Sequence, residues 1–456
     1  MTTTMNINTH QGMRGTADWT HESQRPLDWD AAITELFMNA DAPLTALTKL
    51  LPSSKAKDPK FLWYREDFPA QAGPLGNVGT GADSSVYDSS ALNNLVTGAI
   101  AAGTTRYVKL KAKEVGYFRP RLIVMLRSKS DPRKRVYGRV LNQILNGDSS
   151  YIVIQTLQSM APTGGTTVGN DLDYYTIIGD SNPEGGPPPR GIAYDPEEFY
   201  NFTQISKTAI ELTRTAELTE LRHENELVRM RKNSLRDHAV KREKMFLYGI
   251  PSEATGDNGK KERTTGGILW FIHQYAPQNV FHLPTVVGDN SDYSEYTPLL
   301  DKTWEQGGFD FLNLCLERIY NYGNSDSRIA YCGSGTIQAL QRLAKFNGNI
   351  QLNVGATEFG LKVITWITPF GALHFKTHPL FKYDATERYS ALIIDPSSLE
   401  RKVISETFTK KKDHNDGGFD SLDGRFEEFI TEDGLKFTLP ESCGYITGFG
   451  SNFETS

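Results

Sequence analysis

Asn201-Phe202-Thr203-Gln204-Ile205 continues through Ile210-Glu211-Leu212-Thr213-Arg214-Thr215-Ala216, then runs without glycine or proline from Glu217 to Tyr248 before Gly249-Ile250-Pro251. The reading of this stretch decides the fold. An uninterrupted run of that length predicts one long helix, placed at about 209–248. Within it Leu218, Leu221, Val228, Leu235, Ala239 and Phe246 recur at three-, four- and seven-residue steps, which predicts one narrow apolar stripe. Asn225, Lys232 and Arg242 interrupt the stripe, and Glu217, Glu220, Glu224, Arg222, Arg229, Arg231, Arg236, Lys241 and Lys244 occupy the other faces. A stripe so narrow buries one side only. The helix is therefore expected to lie across a sheet of its own chain or across a neighbouring subunit, with two charged flanks left over. Arg222 with Glu226, Glu226 with Arg229 and Asp237 with Lys241 stand three or four residues apart and are expected to pair. On these residues alone, a solvated face on a surface helix is the favoured reading of the remaining charge.

Soon after the helix comes Arg263-Thr264-Thr265-Gly266-Gly267-Ile268. This order resembles the major capsid proteins of tailed bacteriophages with the Hong Kong 97-type shell fold. The resemblance is to the branch with a β-rich insertion before the spine helix. There an Asn-(Tyr/Phe)-Thr-Gln-Ile segment leads into the spine helix, and an Arg followed by Gly-Gly-Ile comes soon after it. The resemblance implies an α+β chain with an N-terminal arm, an extended loop, a long spine helix, an axial domain and an inserted small antiparallel β domain. It spans most of the chain, but outside Asn201–Ile272 and the C-terminus it is a match of element order.

At 456 residues, two or three domains are expected. Hydrophobic residues make up 38% and charged residues 23%, and no apolar run approaches the roughly 20 residues of a membrane helix. Met1-Thr2-Thr3-Thr4-Met5-Asn6-Ile7 lacks the basic region and apolar core of a signal peptide, so synthesis in a host cytoplasm is expected. Cys315, Cys332 and Cys443 are odd in number and far apart, as suits small buried hydrophobes in a reducing compartment. A net charge of −6 argues against a dedicated nucleic-acid binder. A container that surrounds double-stranded DNA without gripping its sequence has no such need.

The chain divides by composition. Residues 1–61 read as the arm, with short helices expected at Asp28–Phe37 and Ala42–Leu47. Residues 62–200 form the extended-loop region, with Pro69–Ser90 as loop. Within it a β domain is expected at about 104–160, because Tyr107–Lys113 alternates, Leu122–Leu126 is an apolar run and Asn146-Gly147-Asp148 carries turn chemistry. Glu184–Arg190 reads as a stiff linker or loop tip. Residues 201–308 would be the peripheral domain. In 309–400, helices at Phe309–Tyr320 and Thr336–Leu343 alternate with strands at Arg328–Cys332, Lys362–Trp366 and Ala372–Phe375, which the resemblance makes the axial domain. The resemblance makes 401–456 a C-terminal return to the peripheral and axial core, in which Leu435–Pro440 and Cys443–Gly448 look like the family's closing strand and glycine turn.

Candidate chemistry is sparse. Gly76-Asn77-Val78-Gly79-Thr80-Gly81 lacks the Lys-Ser or Lys-Thr of a phosphate loop. Cys332-Gly333-Ser334-Gly335-Thr336 lacks the Gly-x-Ser-x-Gly spacing of a displayed nucleophile, and Ser334 or Gly335 is better read as a turn or cap. His374 and His378 fall on a strand-like run, where four residues span about 13 Å, too far for one metal ion. Asp413, Asp416, Asp420 and Asp423 miss the calcium-loop pattern and read as a solvated loop. No catalytic residue, metal ligand or cofactor is expected. Some shells of the resembled fold cross-link Lys to Asn; no motif here locates such a site.

The leading reading is a structural subunit that forms the hexamers and pentamers of an icosahedral phage head around double-stranded DNA. Portal and scaffolding or decoration proteins would be its further partners, the virion its location, and no membrane would be involved. Trp29, Trp63, Arg222, Arg229, Arg236, Arg133, Lys134 and Arg135 are the candidate assembly contacts. An encapsulin-like shell enclosing cargo is the alternative within the fold. From another class, an enzyme with a β domain and an α+β domain would need a site built from residues without a recognisable motif.

Overall fold

The computed structural model describes residues 52–452 except 67–70, 76–85, 94, 97–98, 129–132, 160–171, 187–190, 192–194, 220–225, 284–298, 300–301, 324, 348–351, 359–360, 384, 386 and 413–423. The expected arm helices, the glycine run at 76–81 and the aspartate run at 413–423 lie outside the described residues. The chain is α+β and divides into two compact units, one of residues 1–61, 201–281 and 314–450, the other of 62–200, 282–313 and 451–456.

In the first unit, strands Leu399–Lys412 and Gly424–Phe437 pair antiparallel as a long ribbon. Gln204–Thr213 runs antiparallel along the ribbon from Gln204 opposite Asp433 to Thr213 opposite Gly424, and Ser53–Lys55 closes the other edge in parallel. The Gln204–Thr213 strand corrects the helix boundary expected at about 209. Thr208 and Ile210 are buried while Lys207, Ala209 and Glu211 are exposed, a period of two that holds β-branched Ile and Thr in extended backbone. Thr213 then caps a short helix, Arg214–Leu218, by accepting the Ala216 N–H at 3.3 Å. That helix stops at Thr219, whose backbone is extended. The long helix itself spans Glu226–Tyr248.

A second sheet of the first unit has seven strands in the order Val280–His282, Gly444–Thr447, Ala391–Ile394, Ser327–Cys332, Gly371–Thr377, Leu361–Thr368 and Leu352–Glu358. Its central strand, Ser327–Cys332, pairs parallel with Gly371–Thr377 and antiparallel with Ala391–Ile394. Ile329, Ala330, Leu392, Ile393 and Ile394 are all buried there, as a strand covered on both faces requires. Arg328 is buried with them. It donates to the carbonyls of Ser442 at 3.1 Å and Tyr322 at 3.0 Å and lies 3.3 Å from Asp395, so the charge is compensated where water is absent. Helices Trp304–Tyr320 and Ser334–Asn347 occupy the two places where the sequence predicts them.

The second unit holds a seven-stranded antiparallel sheet ordered Ala72–Pro74, Tyr174–Asp180, Leu122–Arg127, Arg135–Ile144, Tyr151–Thr156, Thr105–Lys109 and Val86–Tyr87. Alternate residues Val108, Val124, Leu126, Val136, Val140, Ile152 and Ile154 point into one core. Gly138 lies under Ile154, where a Cβ would come within 2.8 Å of its Cδ1. The sheet reaches further than the alternation in the sequence, taking in Ala72–Pro74 from the expected loop and Tyr174–Asp180. The expected alternation through Lys113 ends earlier, because Ala112–Val115 is a helical turn. Gly147, with φ of +51°, supplies the turn at Asn146-Gly147-Asp148.

Candidate assembly surfaces

The long helix meets the four-stranded sheet through polar groups. Its buried residues are Leu227, His238, Arg242, Glu243, Met245, Phe246 and Leu247, so of the expected apolar stripe only Phe246 is buried among the described residues. Leu218, Val228 and Leu235 of that stripe are 73%, 49% and 49% exposed. The correction has a physical cause: the strand beneath presents Glu427, Thr431 and Asp433, all fully buried, and only matching polar side chains can lie against them.

Three rungs join helix to strand. Arg231 forks onto Glu427, with Nε 2.6 Å from Oε2. The His238 ring bridges Thr208 Oγ1 at 3.1 Å and Thr431 Oγ1 at 2.8 Å. Arg242 pairs with Asp433, whose Oδ2 also accepts from Arg401 Nε at 2.8 Å, and Arg401 extends the chain of charge to Glu406 at 2.9 Å. The spacing explains why the helix runs along the strand: 231 to 242 rises about 16 Å in a helix, and 427 to 433 spans about 20 Å in a strand. The hydrogen bond from Arg231 holds the Glu427 carboxyl below its ordinary range. Burial first, then the neighbouring Arg242, pushes the His238 imidazole down, so the ring is favoured neutral. At the ribbon's start, burial opposes ionisation of Glu400, but hydrogen bonds from Ser54, Lys402 and Lys436 hold it at about 2.

The Asn-Phe-Thr-Gln signature and the Gly-Gly-Ile stop meet in space. Asn201 donates to the carbonyls of Gly266 at 3.1 Å and Leu435 at 2.6 Å, and its Oδ1 accepts the Gly266 N–H at 2.7 Å. Gln204 Oε1 accepts the Thr265 N–H at 3.1 Å. Gly267 donates to Gly249 O at 2.8 Å just where the helix ends, and a Cβ on Gly267 would lie 2.7 Å from Gly249 N. Both glycines are needed for this backbone-on-backbone approach.

The candidate contacts fall in different places. Trp29 and Arg222 lie outside the described residues. Trp63, on the strand Lys60–Arg65, is 7% exposed and stacks on Phe199 with ring centroids 6.1 Å apart. Arg229 pairs with Glu226 at 2.6 Å and Lys241 with Asp237 at 2.6 Å, as their spacing predicts, and Arg236 is half-buried. In the second unit Arg133 and Arg135 are exposed and Lys134 is half-buried. Arg229 and Arg236 thus belong to the first unit, and Trp63, Arg133, Lys134 and Arg135 to the second. Sequence reading places Arg231 on a charged flank and Arg242 as a break in the stripe, and passes over His238, Glu427 and Asp433. Their signal was polar residues at helical steps of seven and four, facing acids and a threonine at strand steps of four and two.

The remaining candidates are structural. Ser334 begins a helix; Gly333 packs under the Arg388 backbone, where a Cβ would come within 2.2 Å of its carbonyl oxygen. Cys315, Cys332 and Cys443 are free and buried, and burial pushes the Cys443 thiol up to about 11 and Cys332 higher still. His374 bonds Thr365 at 3.0 Å and Ser327 at 2.9 Å, whereas His378 sits 2.5 Å from Glu243. The two imidazoles serve separate partners. Among the described residues no three His, Cys, Asp or Glu side chains group to hold a metal ion, and no helix is long and apolar enough to cross a membrane. An open cleft lined by Lys207, Lys260, Arg263 and Glu432 lies beside the start of Gln204–Thr213; its Arg263 is paired with Glu253 at 2.8 Å.

The family model described as SU10 major capsid protein matches residues 9–450, and the chain belongs to that family. It is 25% identical over 286 residues to a major capsid protein of Pseudomonas phage PaMx41, a match covering 60% of this chain and 65% of the relative. The aligned region thus spans just under two thirds of that relative's length. Among solved structures, the procapsid of satellite phage P4 with its size determination protein overlaps 65% of this chain and 83% of its own, at 12% identity and a TM-score of 0.35. The capsid of Myoviridae phage XM1 overlaps 59% and 81%, at 12% identity and 0.35. An encapsulin complex from Synechococcus elongatus PCC 7942 overlaps 58% and 81%, at 11% identity and 0.35. Overlaps this partial assign nothing further to the chain.

Proposed function

We propose that the chain is the structural subunit of a phage head: copies of it assemble into the hexamers and pentamers of an icosahedral shell that encloses double-stranded DNA. The family match over residues 9–450 is the observation that carries this reading. The long helix laid along a ribbon, followed by an α+β unit of central parallel and antiparallel strands, fits the Hong Kong 97-type arrangement that the sequence resembles. In this reading the protein is made in the host cytoplasm, resides in the virion, works without catalysis, and meets portal and scaffolding or decoration proteins. A cargo-enclosing shell is less favoured, because the family and the curated relative are both described as capsid proteins.

Electron microscopy of the expressed protein tests the proposal. Uniform shells, sheets or capsomer rings are expected. A monodisperse small oligomer that turns over a substrate would overturn it, and shells from infected cells that hold protein but no DNA would move the chain to the cargo-enclosing class.

A further inference from the structure

The seven-stranded sheet of the second unit uses one face for its core and leaves the other without a layer of its own among the described residues. That outer face is aromatic and cationic. Tyr174, Arg127 and Arg135 lie side by side across three strands, since Arg127 is in register with both of the others. The next row inward sets Met125 beside Tyr137, and Arg139 follows on the same strand as Tyr137. Two arginines directly opposite each other repel, and among the described residues no carboxylate pairs with either guanidinium. The Nε of Arg139 is buried and makes no hydrogen bond within the described chain. A face that holds like charges together beside rings is arranged for an anionic partner with apolar side chains of its own.

The chain itself supplies a segment of that chemistry. Residues 413–423 carry Asp413, Asp416, Asp420 and Asp423, no Lys or Arg, and the apolar Phe419 and Leu422. They join the ends of the long ribbon, between Lys412 and Gly424. Each ribbon strand has 14 residues. Strands of that length extend about 46 Å, a reach suited to touching another copy.

We propose that the outer face of the second-unit sheet, centred on Arg127, Arg135 and Tyr137, is the docking surface for residues 413–423 of another copy of this chain. The proposal rests on the assembly reading and gives it one specific contact. The aspartates meet the arginine pair that repels itself in the isolated subunit, and Phe419 and Leu422 lie on the tyrosine rings. Encounter is steered by charge, so it weakens as salt screens the two surfaces.

The test combines charge reversal with cross-linking in the full-length chain. Arg127→Glu with Arg135→Glu, and separately Asp416→Lys with Asp420→Lys, should each slow assembly about tenfold at low salt, and the four changes together should restore it to within about twofold. Thermal melting of each unassembled variant confirms that it folds. Carbodiimide cross-linking of shells built from a mixture of light and heavy isotope-labelled Arg135→Lys chains should yield light–heavy pairs between position 135 and the 413–423 aspartates. Folded variants that assemble at the wild-type rate, absence of rescue in the combined variant, or cross-links confined to single chains would each overturn the docking proposal. Failure of the wild-type chain to assemble at all would instead overturn the assembly reading beneath it.

Discussion

Asn201 holds both backbone groups of Gly266, accepting its N–H at 2.7 Å and donating to its carbonyl at 3.1 Å, so one side chain pairs with a residue 65 positions away as a neighbouring strand would. The same amide reaches Leu435 O at 2.6 Å and so ties the end of the ribbon to the glycines that follow the helix. Asn201→Ala would strand these buried groups and should cost about 3 kcal/mol. Asn201→Asp should cost at least as much, because a carboxylate cannot donate to two carbonyls. Denaturant unfolding of the unassembled subunit measures both, and a loss under about 1 kcal/mol would contradict the assigned role.

Gly267→Ala should be more disruptive than its size implies. The added methyl meets backbone atoms of Gly249 and Leu247 within 2.7–2.8 Å, which cannot rotate away as a side chain could. Overpacking of this kind costs about 2 kcal/mol or more. A midpoint shift in urea checks it, with Gly259→Ala, in a hairpin where φ is +70° and space is open, separating backbone strain from collision.

Leu235 offers a contrast between helix and surface. It is 49% exposed, so Leu235→Ala should change subunit stability by no more than about 0.5 kcal/mol. Leu235→Pro should break the helix at about 3 kcal/mol or more. If the alanine variant folds normally yet fails to form shells, the exposed leucine lies at a contact between subunits. Fully assembled shells of the proline variant would contradict the assigned helix.

Acid should loosen the four-stranded sheet and the helix laid on it in two stages. His238 has a lowered folded pKa, so the unfolded chain takes up its proton first; its contribution is complete above about pH 6.5 and declines as pH falls below that. Glu427 and Glu400 have depressed folded values, so their contribution is present above about pH 4.5 and is lost on further acidification, for Glu400 down to about 2. His238→Gln should flatten the upper stage and leave the lower one. Melting temperatures from pH 8 to 3 test this, and an unchanged slope between pH 6.5 and 5 in the variant would remove His238 from the account.

Removing residues 1–26 should leave a cooperatively folding subunit and impair assembly, if the arm is held by neighbours. Calorimetry of the truncated chain decides between this and an arm that belongs to the subunit core.

Different parts of the chain were legible to different degrees. The helix stop could be read because Gly249 and Pro251 punctuate it, and the strand Ser327–Cys332 and helix Ser334–Asn347 because their apolar residues keep strand or helix period. The helix start misled, since nothing between Ile210 and Tyr248 breaks a helix, and the alternation through Thr208 and Ile210 was the weaker of two competing signals. The covered helix face was hidden for a deeper reason. Hydrophobic periodicity finds a buried side only when burial is apolar, and here His238, Arg242 and Glu243 are buried while Leu235 is not. The ribbon strand Leu399–Lys412 escaped because its outer half is dominated by Thr and Lys.

The three rungs of the helix seam stand at unequal intervals, seven then four along the helix and four then two along the strand. Such a seam works like a key with a single fitting position. A greasy interface can creep by fractions of a turn, trading one set of contacts for another of similar strength. Here a shift of one helical turn takes Arg231 off Glu427 and sets His238 or Arg242 against the other's partner, so the match of charge to charge is lost at both ends of the seam together. Tension along the helix therefore meets stiff resistance up to a threshold and then a sudden release, as in a latch.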